Sequence, residues 1–388
     1  MAGGAALWRV LGAGLTHHFT QQRHARGMIA ALPASRSLPM RRLLATALTT
    51  ALTATLPLSA HAWGADGHET VGAIAAQLIA GSPAEARVNA LLGGLTLPQA
   101  TVWADCVKGI VPKLGYTYPN LGKYASCAPL ETPARIAEMA DYVRRNQDQC
   151  HPKPGEESCH QQYHYTDIAL QRSRYLEGFT GTSGHDVVAA LRASILVLRG
   201  QPAPAPFDLK PREALLLMVH VVGDMHEPLH VGAIYLDHDG HEVDPDKTGF
   251  DPASNTVGGN AILVANPTTP QHAPPQGQPP RLPRLHTLWD NVPAAMAPDH
   301  VDAAWLAQAR KVKPSSGDAL DWPARWASES LEEARLVYDG LSFSPKQDKA
   351  WTATLPTGYA QREDAIKRRE LTLAGARLAQ LLKTVFPN

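Results

Sequence analysis

The chain has 388 residues, of which 19% are charged and 44% hydrophobic; these proportions exclude a disordered protein, and the length allows two average domains or one large one. Basic and acidic side chains balance at 36 each, but residues 1–62 hold six arginines and no acid, so the remainder carries 30 basic against 36 acidic groups. A net charge near −6 excludes a protein that coats duplex nucleic acid with a broad basic surface, and any positive charge that holds phosphate must then be local.

In chain order, the first readable segment is a leader. Arg41 and Arg42 precede an apolar run over 43–58 and then Ala60-His61-Ala62, the three parts of a secretory signal peptide. A membrane anchor needs about 20 apolar residues and a stop-transfer flank. Residues 40–62 are therefore read as a cleaved signal, and 1–39 as a mis-called upstream extension. Cleavage after Ala62 makes Trp63 the mature N-terminus and leaves 63–388 as one domain in the periplasm or outside the cell. No stable membrane association is expected.

The rest reads as helices. Segment 67–80 has Val71, Ile74, Ala75, Leu78 and Ile79 at helical spacing and stops at Gly81-Ser82-Pro83. Segment 133–149 carries Ile136, Met139, Ala140 and Val143 on one face, and 185–199 repeats the pattern with Val188, Leu191, Ile195 and Leu198. Segment 215–231 is the most apolar and should be central. Ala261-Ile262-Leu263-Val264 is the one convincing strand, expected within a small hairpin over 232–266. A loop with seven prolines spans 267–284, and helices over 300–311, 325–340 and 358–385 complete the chain. The expected class is all-α: one multi-helix domain with a small hairpin.

Four cysteines, Cys106, Cys127, Cys150 and Cys159, follow the leader. An even number in an exported chain reads as two disulfides. Zinc–thiolate binding is the rival, but no C-x-x-C pair exists. Short loops favour Cys106–Cys127 and Cys150–Cys159 among three possible pairings.

The central helix carries the chemistry. His220 and Asp224 are four residues apart and share a face, and Pro228 ends the helix so that His230 can turn back toward them. Burying imidazoles and a carboxylate in so apolar a segment is costly unless something pairs with them, and zinc accepts such ligands. One pair alone is as well explained by a His–Asp hydrogen bond. The spacing recurs at His286 and Asp290, which favours metal. Gly64-Ala-Asp66-Gly-His68, Trp103-Ala-Asp105 and His164-Tyr-Thr-Asp167 carry further candidates; singly they are unremarkable.

Together, in this order, these elements and Gly258-Gly259-Asn260 resemble the secreted zinc nucleases of fungi, plants and bacteria, the family of the fungal S-one and P-one nucleases. The resemblance covers 63–388. It implies the compact all-α fold shared with bacterial phospholipases C, and three zinc ions. One ion would be held by Asp105, His164, His220 and Asp224, and a second by His230, His286 and Asp290. The third would take the amino nitrogen and carbonyl oxygen of Trp63, with His68, and Asp224 would bridge. Asp167 and Lys108 match positions that act on the attacking water or the phosphate, and Asn291 is placed to contact a base. The implied activity is endonucleolytic cleavage of single-stranded DNA and RNA to 5′-phosphates, with 3′-nucleotides as further substrates, by a monomer.

Two features depart from the pattern. Glu227 stands where the family usually has Gln, which alters the surroundings of the ligands without removing one. The segment 235–257 is long and acidic and reads as a solvated loop, with a calcium-type site as the alternative. His226 is read as a packing residue or a neighbour of the ligands. A zinc phospholipase C is the nearest rival, but there the His after the N-terminal Trp lies farther away and the last pair ends in Glu. A non-catalytic zinc-binding protein is the rival from another class.

Overall fold

The computed structural model describes residues 63–154, 156–267 and 281–387. The leader and upstream extension expected over 1–62, and the centre of the proline-rich loop, 268–280, lie outside the described residues.

The fold is mostly helical, with two small sheets. The apolar helix Pro211–Asp224 is buried continuously from Glu213 to Asp224, as its lack of a polar stripe requires. The Glu213 side chain accepts the Lys210 N–H at 2.8 Å and secures its N-terminus. Around it pack Val187–Leu198, Leu97–Thr101, Trp103–Val107, Ala65–Ile79 and the long last helix Tyr359–Val385, which also lies against Ala65–Ile79. The helix ends at Asp224, and Pro228–His230 forms a single 3₁₀ turn. This brings His230 back toward the helix end.

Each helix expected from periodicity is present, most within a few residues of the expected bounds; the central one, expected over 215–231, starts at Pro211 and stops at Asp224, seven residues early, because the chain turns before Pro228. The strand Ile262–Val264 is also present, but its partner is not in 232–266. It pairs in parallel with Trp351–Thr354, whose other edge pairs antiparallel with Ser342–Phe343. The hairpin therefore lies some ninety residues downstream of the strand it extends. Within 232–266 the chain instead pairs Gly232–Ala233 with Ile168–Ala169 and reverses through the bridge Leu236–Glu242.

Two disulfides, Cys106–Cys127 and Cys150–Cys159, brace the loops that approach the end of the central helix. The first fastens the helix bearing Asp105, and the second fastens the segment leading to His164. Among the described residues no helix is long and apolar enough to cross a membrane.

Candidate metal centre

All eight of the proposed side-chain ligands converge at the C-terminal end of the central helix and across the turn that follows it. Asp224 is the hub. Its Oδ2 lies 3.0 Å from His164 Nδ1 and 3.2 Å from His220 Nε2, while its Oδ1 lies 3.2 Å from His68 Nε2. Asp105 Oδ1 is 3.8 Å from His220 Nε2 and 3.9 Å from His164 Nδ1. A second cluster joins His230, His286 and Asp290, with Nε2 atoms 3.1 Å apart and His286 Nε2 3.5 Å from Asp290 Oδ1. Ligand atoms around a tetrahedral zinc at about 2.0–2.2 Å are spaced by roughly 3.4 Å, so both clusters have the right dimensions.

The hydrogen bonds decide what these rings offer. His220 Nδ1 is 2.6 Å from Thr101 O, His230 Nδ1 is 2.9 Å from His164 O, and His286 Nδ1 is 2.7 Å from Gly258 O. A carbonyl only accepts, so each Nδ1 carries the proton and each neutral ring turns a bare Nε2 lone pair into the cluster. Between His230 and His286 two such lone pairs face each other at 3.1 Å. Among the buried acceptor atoms of the clusters, Asp290 Oδ1 has no hydrogen-bond partner, and Asp224 Oδ1 has only the His68 Nε2 contact at 3.2 Å. Unpaired buried acceptors of this kind cost several kcal/mol at most sites, on the order of 1–3 each. A cation satisfies all of them together, so the donor set fits zinc.

Burial sets the charge state of the rings. It pushes His164 and His230 down to about 3, which keeps both neutral. Burial also opposes protonation of His220, yet Asp224 and Asp105 beside it raise its affinity for a proton above the ordinary value. Asp224, though desolvated, is held well below the usual carboxylate range by His220, His164 and His68. Asp290 behaves oppositely: burial and the neighbouring Glu227 drive it well above that range.

The backbone is shaped to the same end. Gly223 lies under the His68 ring, where a Cβ would meet Nδ1 at 2.7 Å. His68 can therefore stack on His220, with ring centroids 3.9 Å apart. Gly258 has φ +53°, and its Cβ would strike Leu229 O at 2.4 Å. Only glycine lets this carbonyl reach His286.

The remaining expected residues surround a cleft of about 350 Å³ that includes Lys108, Asp167, His230 and His286. Lys108 Nζ donates to Asp105 Oδ1 at 2.9 Å. Burial raises the Asp167 carboxyl to about 7. A wider adjoining cleft of about 870 Å³ holds Asp105, Asp290 and the exposed Asn291, whose Nδ2 donates to Thr287 O. Trp63 is fully buried; its ring lies against Gly67 and within 3.8 Å of a Cβ built on Gly223. The next residue, Gly64, donates its N–H to Asp290 O at 2.6 Å. The chain at Trp63 therefore enters the structure beside both clusters.

Glu227 was read only as a neighbour of the ligands, and Arg284 and Lys349 escaped the sequence reading. Glu227 joins the His230, His286 and Asp290 cluster, and its spacing of three from His230 was the available clue. Arg284 and Lys349 line the smaller cleft, and nothing in their local sequence marks them. His226 lies apart from the ligands: it packs against Trp326 and receives a hydrogen bond from Arg377. In the acidic segment, Asp237, Asp244 and Asp251 accept backbone N–H groups of their own turns. Arg172 pairs with Asp244 and Asp246, as suits a loop held by local hydrogen bonds.

No curated protein matches this chain. The family model for S1/P1 nuclease matches residues 63–387, which includes both clusters and the clefts beside them. The chain belongs to the S1/P1 nuclease family, hydrolases of phosphodiester bonds.

Proposed function

We propose that the chain is an exported, zinc-dependent endonuclease that cleaves single-stranded DNA and RNA to 5′-phosphate products and also takes 3′-nucleotides. Residues 63–388 form one nuclease domain that follows a cleaved leader. The observation that carries the metal reading is the pair of inward lone pairs on His230 and His286, 3.1 Å apart in a buried site. Asp105, His164, His220 and Asp224 would hold one ion, and His230, His286 and Asp290 a second. His68 with the amino and carbonyl groups of Trp63 would hold a third, sharing Asp224. Zinc bound there supplies Lewis-acid activation of water, charge neutralisation on the phosphate and stabilisation of the departing 3′ oxygen.

The side chains divide the remaining work. Asp167, with its carboxyl near 7, is suited to accept a proton from the attacking water. Lys108 is fixed by Asp105 at the edge shared by both clefts and directs its positive charge to a phosphate oxygen. Asn291, at the rim of the wider cleft, contacts a base. Preference for single strands follows from burial. His220 and Asp224 are fully buried and His164, His230 and His286 nearly so, so a phosphate reaches them only if its strand bends into the cleft. Single strands bend and splay their bases in this way, whereas a duplex resists.

Metal analysis of the mature protein, paired with cleavage of denatured and duplex DNA, tests this reading. Three zinc ions per chain are expected, with activity lost on chelation, restored by zinc and much faster on the denatured strand. Undiminished cleavage in excess chelator overturns it.

A further inference from the structure

Glu227 has no role in the ligand sets described above, yet it is fully buried. Its ligand oxygen lies with those of His230, His286 and Asp290, all within 4.8 Å of one another. Its two oxygens have different fates. Oε2 accepts the His230 N–H at 2.8 Å and caps the 3₁₀ turn that presents His230. Oε1 is buried with no hydrogen-bond partner, and so is Oδ1 of Asp290. A buried cation near Glu227, Lys367, is engaged elsewhere: its Nζ donates to Leu288 O, Asn291 O and Glu363 Oε1.

Two carboxylates brought together out of water do not both ionise unless something positive lies between them. A shared proton could neutralise one carboxyl. It would leave the two imidazole lone pairs of His230 and His286 facing each other at 3.1 Å. A divalent cation among all four groups resolves both conflicts.

We propose that Glu227 is a fourth protein ligand of the ion held by His230, His286 and Asp290, bound through Oε1. The site is then two imidazoles and two carboxylates, donors that zinc accepts, with a fifth position open to water or phosphate as in five-coordinate catalytic zinc. It carries one more negative charge than a site in which a neutral Gln stands at this position. The other site then has the same make-up, His164 and His220 with Asp105 and Asp224, except that Asp224 also touches His68. The inference rests on the zinc reading proposed above and adds a fourth protein donor to the Asp290 site.

A crystal structure of the zinc-loaded enzyme, with zinc located by anomalous scattering, gives the direct test. Glu227 Oε1 is expected at about 2.0–2.2 Å from the ion beside His230 and His286. An ion there with Oε1 beyond about 3 Å overturns the role of Glu227 and leaves the zinc reading standing. A site without any ion in a fully zinc-loaded protein overturns both.

A chelator titration of the loaded wild type and Glu227→Gln supplies a second readout. The variant is expected to release one zinc per chain at a chelator activity lower by more than the roughly 10–100-fold typical of losing a group that only orients a ligand. Release at the wild-type activity contradicts the proposal. The crystallographic arm needs no variant, so it stands even if Glu227→Gln fails to fold.

Discussion

His220 lies near the end of the central helix and His226 two residues beyond it, and both are fully buried. Each ring gives its Nδ1 proton to a backbone carbonyl, His220 to Thr101 and His226 to Val222. The difference is at Nε2. For His226 that atom accepts a hydrogen bond from the Arg377 guanidinium at 2.9 Å. For His220 it faces His164 Nδ1, Asp224 and Asp105. Burial and the bond made by Nδ1 are therefore the same, and the second nitrogen decides: closed by a donor, the histidine is a packing residue; facing acceptors, it is set to bind a cation.

The sharpest way to break this comparison is to exchange the consequences. Asp224→Asn removes the carboxylate that touches His68, His164 and His220. It is expected to lose two of three zinc ions and to lower turnover by on the order of 10³ or more. His226→Gln keeps an acceptor for Arg377 and is expected to retain all zinc and most activity. Metal content and turnover of the two purified variants check this. A His226 variant that loses zinc while the Asp224 variant keeps it would show that the helix faces are misassigned.

How far this was legible follows from the same atoms. The helices announced themselves because their apolar residues recur at 3.6, and the four-residue His–Asp spacing marked His220 with Asp224 and His286 with Asp290. Short loops favoured the two disulfides found. The partner of Ile262–Val264 was not legible, because Trp351–Thr354 is only four residues long and lies far along the chain. The fate of His226 was open for the same reason: Arg377 is 151 residues away. Glu227 resembled a Gln replacement of small effect until its carboxylate was seen grouped with His230, His286 and Asp290 and its Oε1 buried without a partner. Local periodicity carries helices, whereas partners far apart in sequence need the fold.

A smaller effect is expected at the chain start, where the same contrast between an open and a closed nitrogen applies. A free α-amino group has a pKa of about 7.7–8.0, low enough for zinc to displace its proton near neutrality. An amide nitrogen has no lone pair to give. A form beginning Met-Trp63, left unprocessed in the cytoplasm, should fold, because the Trp63 ring and the Gly64–Asp290 bond are untouched. It should bind two zinc ions rather than three and lose roughly 10–100-fold in turnover. Equal zinc content in the processed and unprocessed forms removes Trp63 from the ligands.

The smallest effect tests the closed side directly. Burial, and then the Arg377 charge, push His226 down to about 3, against an ordinary value of 6.5. Between these values the unfolded chain binds a proton that the native ring refuses. The unfolded state is therefore favoured as pH falls, so the stability tied to this ring is complete above pH 6.5 and is lost as pH drops toward 3. The slope is about 1.4 kcal/mol per pH unit, or about 2 kcal/mol between pH 6.5 and 5. Other buried histidines titrate in the same range, and zinc leaves its ligands in acid, so wild type alone cannot isolate this contribution. The difference between wild type and His226→Gln cancels those shared losses. Denaturant unfolding of both proteins at matched zinc concentration should show the variant less stable at pH 7 and regaining about 2 kcal/mol on the wild type by pH 5. A stability difference that stays constant across this range would mean that His226 takes up a proton in the fold, and that Arg377 does not close its second nitrogen.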